Sequence, residues 1–86
     1  MAFYLVERYV PSVSAVEIAR SVARLTDAAG DDVRHLYTLL VLGEDTCLSL
    51  FEASGAGAVE AANERAEFPL DRIVQAAVFE EERRCR

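Results

Sequence analysis

The chain reads as two similar halves, and that repetition constrains the fold more than any other feature. Each half pairs an apolar strand with one helix, and both strands carry a glutamate at their polar end. The first strand is FYLVERYV, residues 3–10, with Glu7. Its counterpart is TCLSLFEA, residues 46–53, with Glu52. A strand–helix–strand unit used twice leads to an α+β sandwich built on one sheet.

In the first strand both alternating sets are apolar. Phe3, Leu5 and Tyr9 share a set with Glu7, while Tyr4, Val6 and Val10 share the other with Arg8. A strand apolar on both faces is covered on both faces and should be central. Pro11 has no amide hydrogen to donate and ends the strand. Ser14 to Glu17 fits a capping box. Ala15, Ile18, Val22, Leu25 and Ala29 then recur at helical spacing as one apolar stripe, and Gly30 is suited to close that helix in the left-handed conformation.

After the polar turn Asp31–Asp32, residues 33–42, VRHLYTLLVL, predict a second strand. Gly43-Glu44-Asp45 turns it into the third, residues 46–53, as a hairpin. Ser54 is expected to cap a second helix near residues 56–66, with a thin stripe of Ala58, Val59, Ala62 and Ala66. Gly55 and Gly57 weaken its first turn, and Phe68-Pro69 ends it. Residues 72–79, RIVQAAVF, predict the fourth strand. The domain therefore spans residues 1–79, and the charged segment 80–86 reads as a solvated tail.

The order β-α-β-β-α-β, with right-handed crossovers, puts both helices on one face of an antiparallel sheet of order 4-1-3-2. That is the ferredoxin-like arrangement. Its second sheet face has no helix of its own, yet the first three strands are apolar on both sides. Packing two such faces together gives a homodimer with a cleft between the sheets. Composition agrees. Eighty-six residues make one domain of modest stability, and a hydrophobic fraction of 52% is generous for that size, as expected where a partner covers apolar surface.

Charge narrows the partners. The formal net charge of −6 argues against nucleic-acid phosphates and anionic membranes and suits a cationic ligand such as a metal ion. All nine basic residues are Arg, a bias expected of a high-GC bacterial genome. Cys47 lies in a predicted strand and Cys85 in the tail, which is no disulfide framework. The N-terminus leads directly into a strand, without the basic start and apolar run of a signal peptide. No apolar segment approaches membrane-spanning length. The expectation is a cytoplasmic protein.

The chain has no GxSxG, glycine-rich phosphate loop, HExxH or CxxC. His35 is the only imidazole available as a metal ligand or near-neutral base; a hydrogen-bonded strand histidine is the alternative. Glu7 and Glu52 are carboxylates on apolar strands, and burying a carboxylate is costly unless it is paired or coordinates a metal. They either face the open side as ligands or bases, or pair with an arginine such as Arg8, Arg34 or Arg72, or sit at the sheet rim. Whether His35 and Glu52 share a face depends on hairpin register, since a one-residue slip reverses every side chain. Tyr4, Tyr9 and Tyr37 line either a pocket or the core. Cys47 is either a soft ligand or nucleophile, or an inert small hydrophobe. Glu44 and Asp45 form an acidic, solvated hairpin tip.

The segments YLVERYVP (residues 4–11), EDTCLSLFEA (44–53) and FPLDRIVQA (68–76) resemble a family of small bacterial proteins with a nickel-binding, nickel-responsive branch. The resemblance covers residues 3–79. It rests on Val6-Glu7-Arg8, Phe51-Glu52-Ala53 and the approach from Pro69 to Ile73, in that order and spacing. It implies a ferredoxin-like homodimer and a nickel-type ligand. The chain departs from the family pattern at Ser49, where a second strand cysteine would be expected, which tells against a thiolate-rich site.

Two functions follow as expectations. One is a non-enzymatic homodimeric binding protein for a divalent transition metal such as nickel, with His35, Glu7 and Glu52 as ligands drawn from both chains. The alternative is a small dimeric α+β barrel enzyme acting on an organic substrate in the inter-sheet cleft, with His35 or a glutamate as acid or base. An enclosed pocket with Glu7, His35 or Tyr37 pointing inward favours the second; a cluster of oxygen and imidazole ligands favours the first.

Overall fold

Strand β1 (Ala2–Tyr9) is the hub of the sheet, as its two-sided apolarity requires. In the computed structural model, which describes residues 1–80, it pairs antiparallel with β3 (Thr46–Ala53) on one side and β4 (Arg72–Ala76) on the other. Strand β2 (Val33–Val41) adds to the far edge of β3. The sheet order is β2-β3-β1-β4, which is the expected 4-1-3-2 read from the other edge. Helices α1 (Ala15–Ala28) and α2 (Ala56–Arg65) complete the order β-α-β-β-α-β. The fold is ferredoxin-like.

Both helices pack on one sheet face. Ile18 and Leu25 of α1 and Val59 and Ala62 of α2 meet Val6, Val33, Cys47, Phe51 and Ala53 of the strands in one cluster. Val22 is partly buried beside them. Ser14 caps α1 by accepting from the Glu17 amide at 3.2 Å, a contact worth about 1 kcal/mol. Burying a side chain such as Leu25 contributes about 1.5–3 kcal/mol. The stripe, more than the cap, therefore holds α1 on the sheet.

Three boundaries depart from the sequence expectation. Helix α1 ends at Ala28 with Ala29 already extended (φ −64°, ψ 153°), so Gly30 does not form a left-handed cap. Gly30 instead makes an isolated bridge with Val33 that feeds the chain into β2. Ser54 does not cap α2. The cap is Gly55, which offers no side-chain bond, because the Ser54 amide is committed to the Asp32 carbonyl at 2.9 Å. Strand β4 stops at Ala76, not residue 79. Its last partner is Phe3, and β1 begins one residue before that. The expected tail, apart from Glu80, lies outside the described residues, as does Cys85.

The β2–β3 pairing decides which side chains share a face. His35 pairs with Phe51, but Tyr37 pairs with Leu50, so Leu36 is the extra residue of a bulge. One inserted residue reverses the alternation. His35, Thr38 and Leu40 consequently join the helix side, while Arg34, Tyr37, Leu39 and Val41 face the other way. The hairpin tip places Gly43 at φ 84° and Asp45 at φ 51°. Both lie in the left-handed region, which glycine enters freely and aspartate tolerates.

Candidate functional site

The open sheet face is an apolar field with an ion pair at each end. Leu5, Leu50, Tyr37 and Leu39 form its middle, following the pairs Leu5↔Leu50 and Tyr37↔Leu50. Leu50 is 5% exposed, shielded by its neighbours, while Tyr37 and Leu39 are 51% and 53% exposed. No described helix lies over this side.

Glu7 and Glu52 both lie on this face, at opposite ends of the field. Arg72 Nε donates to Glu7 Oε2 at 2.6 Å, and Arg72 sits opposite Glu7 in the β1–β4 register. Arg34 Nη2 donates to Glu52 Oε1 at 2.7 Å, again from the directly opposite position. Each glutamate is thus both on the open side and paired to an arginine. The side chains of Arg72 and Arg34 are 65% and 68% exposed. Ion pairs this wet contribute about 0–1 kcal/mol, so an incoming ligand or partner can exchange them.

His35 is elsewhere. Its ring packs edge-on against Phe51 at 5.3 Å between centroids, on the helix side of the sheet. Its Nε2 bonds Thr38 Oγ1 at 2.7 Å, and Thr38 Oγ1 in turn bonds Ser49 Oγ at 2.8 Å. Burial, and then the nearby Arg8 cation, push the His35 pKa below its ordinary value. The three candidate metal ligands are therefore not brought together within one protomer: the bulge at Leu36 keeps His35 off the open face, and the β1–β3 register holds Glu7 and Glu52 at opposite ends of it. Among the described residues no group of three His, Cys, Asp or Glu side chains is placed to hold a metal.

The polar centre that sequence reasoning missed surrounds Arg8. This residue is 2% exposed, and among the described residues no carboxylate lies in ion-pair contact with it. Its guanidinium lies 3.6 Å over the Phe68 ring. Nη1 donates to the carbonyls of Phe68 at 3.0 Å and Pro69 at 3.2 Å, and Nη2 to Ser49 Oγ at 3.1 Å. Burial lowers its pKa, with Cys47 and Asp71 opposing; a guanidinium still keeps its proton. A four-residue chain, Arg8–Ser49–Thr38–His35, thus crosses three strands beneath the helices. The signal available in the sequence was an arginine placed on an otherwise apolar set, Tyr4-Val6-Arg8-Val10.

Cys47 pairs with Arg8 across β3 and β1 and is fully buried. Burial pushes its thiol up, outweighing the downward pull of Arg8, so it behaves as a small hydrophobe. Tyr4 packs with the core, whereas Tyr9 and Tyr37 are exposed and do not close a pocket with it. Glu44 and Asp45 are exposed at the hairpin tip, as expected.

No family model matches the chain, and no curated protein matches it. Among solved structures it is similar to SCO4226 of Streptomyces coelicolor A3(2), known from crystal structure analysis. The two share 18% identity at a TM-score of 0.73, over 92% of this chain and 100% of the other. At that identity the likeness is one of fold.

Proposed function

We propose that this chain is a non-enzymatic binding protein that works as a homodimer joined through its open sheet faces, with a divalent transition metal such as nickel as cargo. The observation that carries the reading is the apolar field of Leu5, Leu50, Tyr37 and Leu39, on a sheet whose helices all lie on the other side. Tyr37 and Leu39 stand half-exposed in this patch, and exposed apolar side chains in one continuous patch are the usual mark of an interaction surface. A second copy offers the same patch and buries both.

Face-to-face packing brings Glu7 and Glu52 of both protomers to one interface. Carboxylates and an acidic chain suit a divalent cation. His35 belongs to the helix side and is not a ligand of this site, so the metal would be held by oxygen donors released from Arg72 and Arg34. The enzyme alternative loses support from the same placement, because His35 does not share a cavity with Glu7 or Tyr37.

Calorimetric titration with nickel tests the cargo. The reading expects saturable binding by the wild type, lost in Glu7→Gln/Glu52→Gln and retained in His35→Ala. Wild-type protein that takes up no nickel, zinc or copper at micromolar concentration would remove the metal and leave only the dimer. Loss of binding in His35→Ala alone would move the site to the helix side.

A further inference from the structure

A second candidate site lies away from the open face, beside the C-terminal turn of α2. A wide-mouthed cavity of about 500 Å³ is lined by Glu60, Asn63, Glu64, Glu67, Phe68 and Leu70, with Pro69 between the last two. Its volume falls within the ~300–1,000 Å³ of ordinary small-molecule sites. None of its lining residues belongs to a strand.

Carboxylates outnumber the other polar side chains of this cavity. Asn63 is 1% exposed, and its Nδ2 donates to the Val59 carbonyl at 2.8 Å. A carbonyl only accepts, so this bond fixes the amide orientation and assigns the remaining atom as Oδ1. That buried oxygen has no partner among the described residues, and an unpaired buried acceptor is costly. Three carboxylates, Glu60, Glu64 and Glu67, line the same cavity. Among the described residues no basic side chain forms an ion pair with any of them. Glu60 and Glu64 are four residues apart on one helix face, where like charges repel. At the C-terminal end of α2, Arg24 Nε donates to the Ala66 carbonyl at 2.7 Å, and Arg65 Nη2 turns away to the Ala28 carbonyl at 2.8 Å.

Two positive charges lie nearby, Arg24 at the Ala66 carbonyl and Arg8. The Arg8 guanidinium covers the Phe68 ring and is bonded to the Phe68 and Pro69 carbonyls. Neither arginine is part of the lining, and two positive charges oppose three carboxylates. The field in the cavity still favours a cation. The carboxylates are not clustered as metal ligands, and Phe68 and Leu70 give the cavity an apolar side. Together these features select an organic cation over a bare metal ion.

We propose that this cavity binds a small organic ammonium ion, a cationic nitrogen on a compact apolar body. The ammonium group sits among Glu60, Glu64 and Glu67 within reach of the Asn63 amide, and the apolar body rests on Phe68 and Leu70. This site is independent of the sheet-face interface and of any metal held there.

Amide-shift NMR on the full chain tests it, with benzylammonium chloride, benzyl alcohol and magnesium chloride as probes. Benzylammonium should give saturable shifts confined to residues 60–70 that weaken as salt is raised. Benzyl alcohol, the neutral counterpart, should bind at least about tenfold more weakly. Glu64→Gln/Glu67→Gln should weaken benzylammonium about tenfold. Both side chains are free of hydrogen bonds among the described residues, so the variant should keep the wild-type spectrum elsewhere. Shifts that do not saturate, equal binding of benzyl alcohol, tighter binding of magnesium, or an unaffected double variant would each overturn the proposal.

Discussion

The two faces of the sheet are made by the same strands and treat charge in opposite ways. On the helix side, Arg8 is 2% exposed and anchored to two carbonyls and a hydroxyl. On the open side its chain neighbour Glu7 keeps a third of its side chain in water and holds a solvated arginine. Strand alternation alone sends these adjacent charges into different surroundings. Removing one partner of a buried bond costs about 1–3 kcal/mol, whereas a wet ion pair is worth about 0–1 kcal/mol. The helix face is therefore a fixed scaffold, and the open face is the side on which groups can be exchanged without unfolding the protein.

The comparison breaks first if the helix side proves soft. Leu25→Ala deletes a side chain that is 1% exposed in the core and should lower stability by about 2–4 kcal/mol in urea unfolding. A loss below about 0.5 kcal/mol would mean that α1 does not present this face to the sheet. Arg8→Met keeps the length but strands the Phe68 and Pro69 carbonyls and Ser49. It should cost about 2–3 kcal/mol, with the largest amide-shift changes in residues 68–71. Those residues are tied to β1 a second time by the Asp71 amide to the Glu7 carbonyl and the Tyr9 amide to Asp71 Oδ2.

A pH titration sharpens the contrast further. The folded state lowers the His35 pKa, so the unfolded chain binds that proton more readily. The His35 contribution to stability is present in full above the unfolded value of about 6.5, and is lost as pH falls from there through the folded value. His35→Gln should flatten this part of the stability–pH curve. An unchanged slope would detach His35 from the buried network. The smallest effect belongs to the open face. Glu52→Gln should change the stability of the isolated chain by less than about 0.5 kcal/mol, because its Arg34 partner is mostly in water.

Much of the fold was legible in the chain because its rules are local. Alternation marked β1 as central, and helical spacing placed Ile18 and Leu25 on the core side of α1. The strand order followed from the number and sequence of the elements. The parts that were not legible are settled by distant pairing. The bulge at Leu36 exists because β2 must match β3 at both His35↔Phe51 and Tyr37↔Leu50, and nothing within VRHLYTLLVL announces it. That bulge separates His35 from Glu7 and Glu52, so the proposed ligand set does not assemble in one protomer. Strand β4 ends where β1 runs out, which residues 72–79 cannot reveal. Arg8 Nη1 is bonded to main-chain carbonyls about sixty positions away, and main-chain carbonyls carry no sequence signature. Asn63 was readable in principle, since it falls at helical spacing with Val59 and Ala66 on the buried side of α2.

The central claim is that the open face is where two copies meet, and sedimentation equilibrium of the wild type beside Leu39→Glu tests it most directly. Leu39 is 53% exposed in the single chain, so a charge there leaves the protomer fold intact while placing a carboxylate in the middle of the apolar field. The account predicts a wild-type dimer at micromolar concentration and a folded monomer for Leu39→Glu with an unchanged circular-dichroism spectrum. A wild type that stays monomeric, or a Leu39→Glu variant that dimerises as well as the wild type, would contradict it.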